Sequence, residues 1–156
     1  MARKSNVVAI ANPDDAVIEQ AMAILDKRVR RGPVFTDPKA LGGYLKLQLQ
    51  GHEREHFAAV FLNTKHHLLA YEVLFTGTLD GSEVHPREIV KQALRHNASA
   101  VVIAHNHPSG DPTPSSADRA ITLRIRDALR TVDVRLLDHF VIGVGDAYSM
   151  ASRGWV

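Results

Sequence analysis

The chain of 156 residues is long enough for one domain with a hydrophobic core, and its 45% hydrophobic and 23% charged residues are typical of globular proteins. It contains no cysteine, which excludes disulfides and thiolate metal sites, so any bound metal must be held by nitrogen and oxygen atoms. No apolar run approaches a membrane span or a secretory signal, and we therefore expect a cytoplasmic protein without a membrane partner. The formal net charge of +2 gives only weak support to direct nucleic-acid binding.

The N-terminal third of the chain is predicted to be helical after a short arm. Residues 1–12 are expected to form a flexible arm, and residues 13–50 a helical segment. Asn12-Pro13 supplies a cap residue and a proline at the first helical position, and Gly32-Pro33 is expected to end that helix. Asp37-Pro38 begins a second helix in the same way. This second helix carries three leucines on one face, Leu41, Leu45 and Leu49.

The rest of the chain, residues 51–156, is predicted to form a domain around a mixed β-sheet. Apolar and β-branched runs predict strands at 57–62, 68–75, 100–104, 134–142 and 147–150. Helical spacing of apolar residues predicts helices at about 86–96 and 116–131. A short turn joins the first two strands, which favours an antiparallel hairpin. Strands and helices then alternate, so we expect an α/β fold of three layers, with helices on both faces of the sheet.

A polar loop follows the third strand and reads AHNHPSGDPTPSSAD from residue 104 to residue 118. Residues two apart in a strand point to the same side, so His105 and His107 can direct both imidazoles at one point. Asp118, at the start of the next helix, can return a carboxylate to that point. Two imidazoles, one carboxylate and an open fourth position are typical of a catalytic zinc site. A His-x-His pair alone is weak evidence, and it is the full spacing that favours a metal site.

Other proteins with paired histidines fit the sequence less well. A metallo-β-lactamase would continue with an Asp-His pair where Ser109-Gly110 stands. A barrel amidohydrolase needs about 250 residues, and a zinc cytidine deaminase needs cysteine ligands. The residues of an HNH nuclease motif are scattered over a longer stretch than His105-Asn106-His107.

A hydrolase would also need a base and a donor to the oxyanion. Spacing alone does not choose the base, although two candidates immediately precede the first strand. The candidates are Glu53, Glu55, Glu72, Glu83 and Glu88. The hydroxyl of Ser115 could donate to the oxyanion, but the residue could equally be the N-cap of the following helix.

The polar loop and several longer stretches resemble a known family. The pattern His105-x-His107-x7-Ser115-x2-Asp118 matches the JAMM motif of the JAB1/MPN metalloproteases in every position. The wider sequence resembles the bacterial RadC family from about residue 51 onward. The stretches that carry this resemblance are residues 75–78, 85–89, 105–112, 114–118 and 137–139.

The resemblance implies a fold and a role for each site residue. Residues 51–156 would adopt the three-layer, cytidine-deaminase-like JAB1/MPN fold. The family pattern places a glutamate two residues before a phenylalanine at the start of the first core strand, which selects Glu55 rather than Glu53 as the catalytic base. Ser115 would stabilise the oxyanion. The ligands of the Zn²⁺ ion would be the three remaining motif residues, His105, His107 and Asp118.

The function implied by the resemblance is that of a zinc-dependent metallohydrolase, which would cleave a peptide or isopeptide bond in an unknown protein or peptide. The alternative is a DNA-repair or mobile-element accessory protein with a non-catalytic metal site. Longer RadC members carry a helix-hairpin-helix segment suited to DNA, which this sequence does not show. His85 is expected to begin a helix. Asp138 and His139 lie in a predicted strand, where either could orient a zinc ligand if it pointed toward the site.

Overall fold

The computed structural model describes residues 12–31, 35–77 and 83–156, without the side chains of 28–31. The predicted arm up to residue 11 and the predicted helix end at Gly32-Pro33 lie outside these ranges. The helices are α1 (Pro13–Arg31), α2 (Pro38–Leu49), α3 (Pro86–Arg95), α4 (Ser116–Arg130) and a short 3₁₀ turn at Ala151–Arg153. The strands are β1 (His56–Leu62), β2 (Leu68–Thr76), β3 (Ala100–Asn106), β4 (Arg135–Ile142) and β5 (Tyr148–Ser149).

The strands form one mixed sheet in the order β2-β1-β3-β4-β5. The first strand pairs antiparallel with both β2 and β3, and β3 pairs parallel with β4. The predicted hairpin and mixed sheet are therefore confirmed. The central strand β3 ends between the beginning of β1 and the end of β4, so three segments of chain meet at one end of the sheet.

Helices cover both faces of the sheet, as the sequence predicts for a three-layer α/β fold. Alternate residues of β1 point to opposite faces. Ala58 and Val60 belong to a core cluster with α2, and Ala59 belongs to a second cluster with α3 and α4. The central strands are buried on both sides, which explains why β1 and β3 read as nearly continuous apolar runs.

The ends of two elements differ from the prediction. The third strand continues past residue 104 to Asn106, because His105 pairs with Phe57 on one side and with Val141 on the other. The last strand is shorter than predicted and comprises only two residues, Tyr148 and Ser149. Within the described residues, no helix combines the length and the apolar character that crossing a membrane requires.

Helix α2 contains two consecutive glycines in different surroundings. A Cβ atom at Gly43 would have no heavy atom within 4 Å, whereas one at Gly42 would lie 3.3 Å from both Phe140 and Ala147. We expect Gly43→Ala to raise the free energy of unfolding by about 0.5–1 kcal/mol, because alanine has the higher helix propensity and meets no obstacle. Urea denaturation measures this change. Gly42→Ala is the matched control, and its free energy of unfolding should rise less, because the added Cβ atom crowds Phe140. Equal increases at both positions would contradict the packing of α2 on the sheet.

Candidate metal centre

Two imidazoles and one carboxylate converge at the end of β3. The Nε2 atoms of His105 and His107 lie 2.9 Å apart. Asp118 places Oδ1 3.2 Å from the Nε2 atom of His105 and Oδ2 3.3 Å from that of His107. One ligand atom from each residue lies within 4.8 Å of the others. The structure thus brings together the three residues proposed from the sequence as ligands, and their donor set fits a divalent metal ion.

The two histidines are held by different parts of the sheet. His105 lies within β3 and is 1% exposed. His107 follows the strand, and its backbone N–H donates to the carbonyl oxygen of Ile142 at 2.8 Å. The next turn is fixed to the same region, because the N–H of Val144 donates to the carbonyl oxygen of Gly110 at 2.7 Å. The loop that carries His107 is therefore bound to the end of β4.

The orientation of the His107 ring follows from its second nitrogen. Its Nδ1 atom lies 2.7 Å from the carbonyl oxygen of Asp111. A carbonyl oxygen can only accept a hydrogen bond, so Nδ1 carries the proton. In the neutral ring, the lone pair then lies on Nε2, the atom that faces His105 and Asp118. The loop carbonyl thus presents His107 in the form that a metal requires.

Asp118 is held by the cap of its own helix. The N–H of Ser115 donates to Oδ2 of Asp118 at 2.7 Å, and the N–H of Asp118 donates to the hydroxyl oxygen of Ser115 at 3.0 Å. This reciprocal pair is a capping box, so the alternative reading of Ser115 as an N-cap is confirmed. The cap uses a lone pair of the hydroxyl and not its proton, which leaves that proton available to another acceptor.

The protonation of the metal-free site reflects these contacts. Burial would raise the pKa of the Asp118 carboxyl, but its contacts with the His105 and His107 imidazoles and the hydrogen bond from the Ser115 backbone hold it well below its usual value. The hydrogen bond with Asp118 is also the main reason that the pKa of His107 is raised, against the effect of burial. The contact between His107 and Asp118 therefore favours the charged form of both groups.

Glu55 acts electrostatically on this site. It is half-buried directly before β1, and its negative charge is a smaller contribution to the raised pKa of His107. Glu53 is exposed and lines a cavity beside His107. The other three candidate bases lie next to other side chains, Glu72 beside His96, Glu83 beside His85 and Glu88 beside Arg87.

Asn106, between the two histidine ligands, holds the backbone on both sides of Glu55. Its Oδ1 atom accepts from the N–H of His56 at 2.7 Å, and its Nδ2 atom donates to the carbonyl oxygen of Arg54 at 3.0 Å. The carbonyl of Glu55 itself accepts from the N–H of Gly77 at 2.7 Å. No role for Asn106 was predicted from the sequence. Its position between the two histidine ligands was the available signal.

Asp138 and His139 point in opposite directions from β4. Asp138 accepts from the hydroxyl of Ser149 at 2.6 Å and from the N–H of Ala151 at 2.9 Å, so it holds the C-terminal segment against the sheet. His139 faces the metal centre and contacts His105 and Thr122. Thr122 was not predicted from the sequence, although it lies one helical turn after Asp118 and on the same side of α4.

A cavity of about 480 Å³ opens beside His107. Its walls come from the segment before β1, the loop after β3 and the end of β4, where residues 50–53, 106–108, 110 and 142–144 contribute. Its volume lies in the range typical of small-molecule binding sites. His107, one of the three proposed ligands, therefore lies next to space that a substrate can enter.

The comparison with known families agrees with this geometry. A family model described as the RadC-like JAB domain matches residues 35–155, well over half of the chain. The chain belongs to the RadC-like JAB domain family. The family membership predicted from the JAMM spacing is thus confirmed, and the mixed sheet with helices on both faces is consistent with a JAB fold.

Several curated bacterial proteins are similar to this RadC-like chain. UPF0758 proteins of Xanthomonas euvesicatoria pv. vesicatoria, Xanthomonas campestris pv. campestris and Azotobacter vinelandii are 52%, 53% and 49% identical to it over 141 residues. The alignment covers 90% of this chain and 63% of each relative. The RadC-like chain therefore spans a little under two thirds of the length of these relatives.

The close contact between the loop and β4 predicts that Gly143→Ala weakens metal binding. A Cβ atom at Gly143 would lie 2.3 Å from the carbonyl oxygen of Gly110, so the loop that carries His107 would have to move. We expect the zinc affinity of Gly143→Ala to fall at least about tenfold, the lower end of the effect of disturbing the surroundings of a ligand. Competition with a chromogenic chelator measures it. Gly43→Ala, remote from the loop, should bind zinc like the wild type. An unchanged affinity in Gly143→Ala would show that the contact does not position His107.

The raised pKa of His107 predicts a pH-dependent metal affinity. A ligating imidazole must be neutral, whereas the hydrogen bond with Asp118 favours the charged ring in the metal-free protein. The proton therefore competes with the metal at every pH below the raised pKa. Competition from this one proton should lower the zinc affinity by a factor that approaches about tenfold per pH unit well below that value, and the affinity should level off above it. Chelator competition at a series of pH values tests this, and a constant affinity through the ordinary histidine range would contradict it.

Proposed function

We propose that the chain is a zinc-dependent hydrolase that cleaves a peptide or isopeptide bond in a protein or peptide substrate. The observation that carries this proposal is the convergence of His105, His107 and Asp118 beside an open cavity, with the charge of Glu55 acting on the same site. Three protein ligands leave a further position open, which is typical of catalytic rather than structural zinc. Membership of a JAB-domain family supports the same class of activity.

Each side chain of the site has a role that follows from its chemistry. A bound Zn²⁺ would supply Lewis acidity toward a water molecule and the carbonyl group to be cleaved. Glu55 is proposed to accept a proton from the water and to deliver it to the leaving amine. The hydroxyl proton of Ser115, which the helix cap does not use, is proposed to stabilise the oxyanion.

The surroundings of the site support a substrate that is an extended peptide. The cavity beside His107 combines the polar side chains of His52 and Glu53 with the apolar side chain of Val144, which is 73% exposed. A peptide lying in this cavity could place a carbonyl beside the ligands and an apolar residue against Val144. We therefore propose peptide segments and peptide-linked lysine side chains as the first substrates to test.

The proposal predicts a metal-dependent activity that requires Glu55. Chelator-free protein should contain about one zinc ion per chain, and His107→Ala should lose it. In a mass-spectrometric screen of peptides and isopeptides, Glu55→Gln should retain zinc but lower turnover by about 10² to 10⁴, the usual contribution of a general acid or base.

Glu88→Gln provides the matched control, since it removes a carboxylate on α3 that lies beside Arg87. This variant should retain both zinc and activity. Equal turnover by Glu55→Gln and the wild type would refute the role of Glu55. A wild-type protein that cannot be loaded with zinc would refute the hydrolase proposal as a whole.

A further inference from the structure

A chain of buried polar side chains lies behind the metal centre. His139 and Thr122 are fully buried, and His105 is 1% exposed. The Nδ1 atom of His105 lies 2.8 Å from Nε2 of His139, whose Nδ1 lies 2.5 Å from the hydroxyl oxygen of Thr122. That hydroxyl lies 2.5 Å from the backbone carbonyl oxygen of Asp118. The chain thus begins at one predicted ligand and ends at the backbone of another.

The direction of these hydrogen bonds follows from the last acceptor in the series, the backbone carbonyl oxygen of Asp118. The carbonyl oxygen of Asp118 can only accept, so the proton between the two oxygens belongs to Thr122. A hydroxyl has one proton, and Thr122 must therefore accept from Nδ1 of His139. A neutral imidazole has one N–H, so Nε2 of His139 accepts from Nδ1 of His105. The Nε2 lone pair of His105 then faces His107 and Asp118.

The opposite direction does not fit the same distances. If Thr122 donated to His139, its oxygen and the carbonyl oxygen of Asp118 would lie 2.5 Å apart with no proton between them. A cationic His139 does not fit either, because its ring is fully buried and packs against Phe57. Burial also holds the pKa of His139 well below its usual value. The sulfur of Met150, 3.8 Å from the hydroxyl of Thr122, is only a weak acceptor and does not change the direction.

We propose that His139 and Thr122 are positioning residues, which hold His105 in the tautomer that presents its Nε2 lone pair to a divalent metal ion. They act through His105 and do not touch the metal or the substrate. The same series of hydrogen bonds joins β3, β4 and α4, so it fixes the distance between the two elements that carry His105 and Asp118. This inference rests on the proposed metal site, but it makes a separate statement about the metal-free protein.

The wild-type tautomers test the proposal directly. Long-range ¹H–¹⁵N spectra of metal-free protein, recorded on the alkaline side of the histidine titration, report which nitrogen of each ring is protonated. We expect both His105 and His139 to carry the proton on Nδ1. A spectrum in which His105 carries it on Nε2 would overturn the proposal. This measurement needs no metal. A wild-type protein that binds no zinc would refute the proposed function, but the spectra would still show which nitrogen of each histidine is protonated.

Thr122→Val tests the consequence for metal binding. The variant removes the acceptor for Nδ1–H of His139, so the proton of His139 should move to Nε2 and donate to Nδ1 of His105. His105 would then carry its proton on the metal-facing Nε2 atom. We expect zinc affinity to fall by roughly 10- to 100-fold, the usual effect of losing a partner of a metal ligand.

Two control variants separate this effect from loss of structure. Thr122→Ser keeps the hydroxyl and should restore both the tautomers and the affinity. Thr131→Val makes the same substitution at the other end of α4, where the hydroxyl bonds only locally to Ala128 at 2.6 Å, and should leave zinc affinity unchanged. Circular dichroism confirms that each variant is folded. A folded Thr122→Val with wild-type tautomers and wild-type zinc affinity would overturn the proposal.

Discussion

The antiparallel pairing of β1 with β3 is the constraint on which the site depends. Since the two strands run in opposite directions, the beginning of β1 lies beside the end of β3, and Phe57 pairs with His105. Glu55 precedes Phe57 by two residues and is therefore held near the loop that carries His107. The parallel strand β4 ends on the other side, where Ile142 receives the N–H of His107. The acidic and imidazole groups thus meet through strand pairing and not through a flexible segment.

Backbone carbonyl oxygens orient both histidines, although by different routes. His107 donates directly to the carbonyl of Asp111, whereas His105 reaches the carbonyl of Asp118 through two intervening side chains. Asp118 also contributes its carboxylate to the site and to the cap of α4. The first turn of α4 and the ligand geometry are consequently formed by the same few hydrogen bonds, so a change that loosens one also loosens the other.

Local sequence patterns were sufficient to predict most of the fold and the three candidate ligands. Apolar runs, caps and turns identified the strands and helices, and the His-x-His spacing with Asp118 identified the ligands. Selecting Glu55 required the family pattern, because spacing alone did not choose among five glutamates and Glu53 also lies just before β1. Thr122 and the orientation of His139 could not be predicted, since they depend on which strand lies beside β3 and on how α4 packs over it. Periodicity along the chain contains no information about such contacts between distant segments.

The close approach of Gly143 to Gly110 also limits how this site could be moved into another protein. The strand and loop that supply His105 and His107 form a short continuous segment, which could be considered for transfer into a designed protein. However, the loop keeps its shape by lying against a glycine from the end of β4, at a distance that no side chain could tolerate. A designed protein that receives this site must therefore include two separate segments, the loop after β3 and the end of β4, in the same relative position.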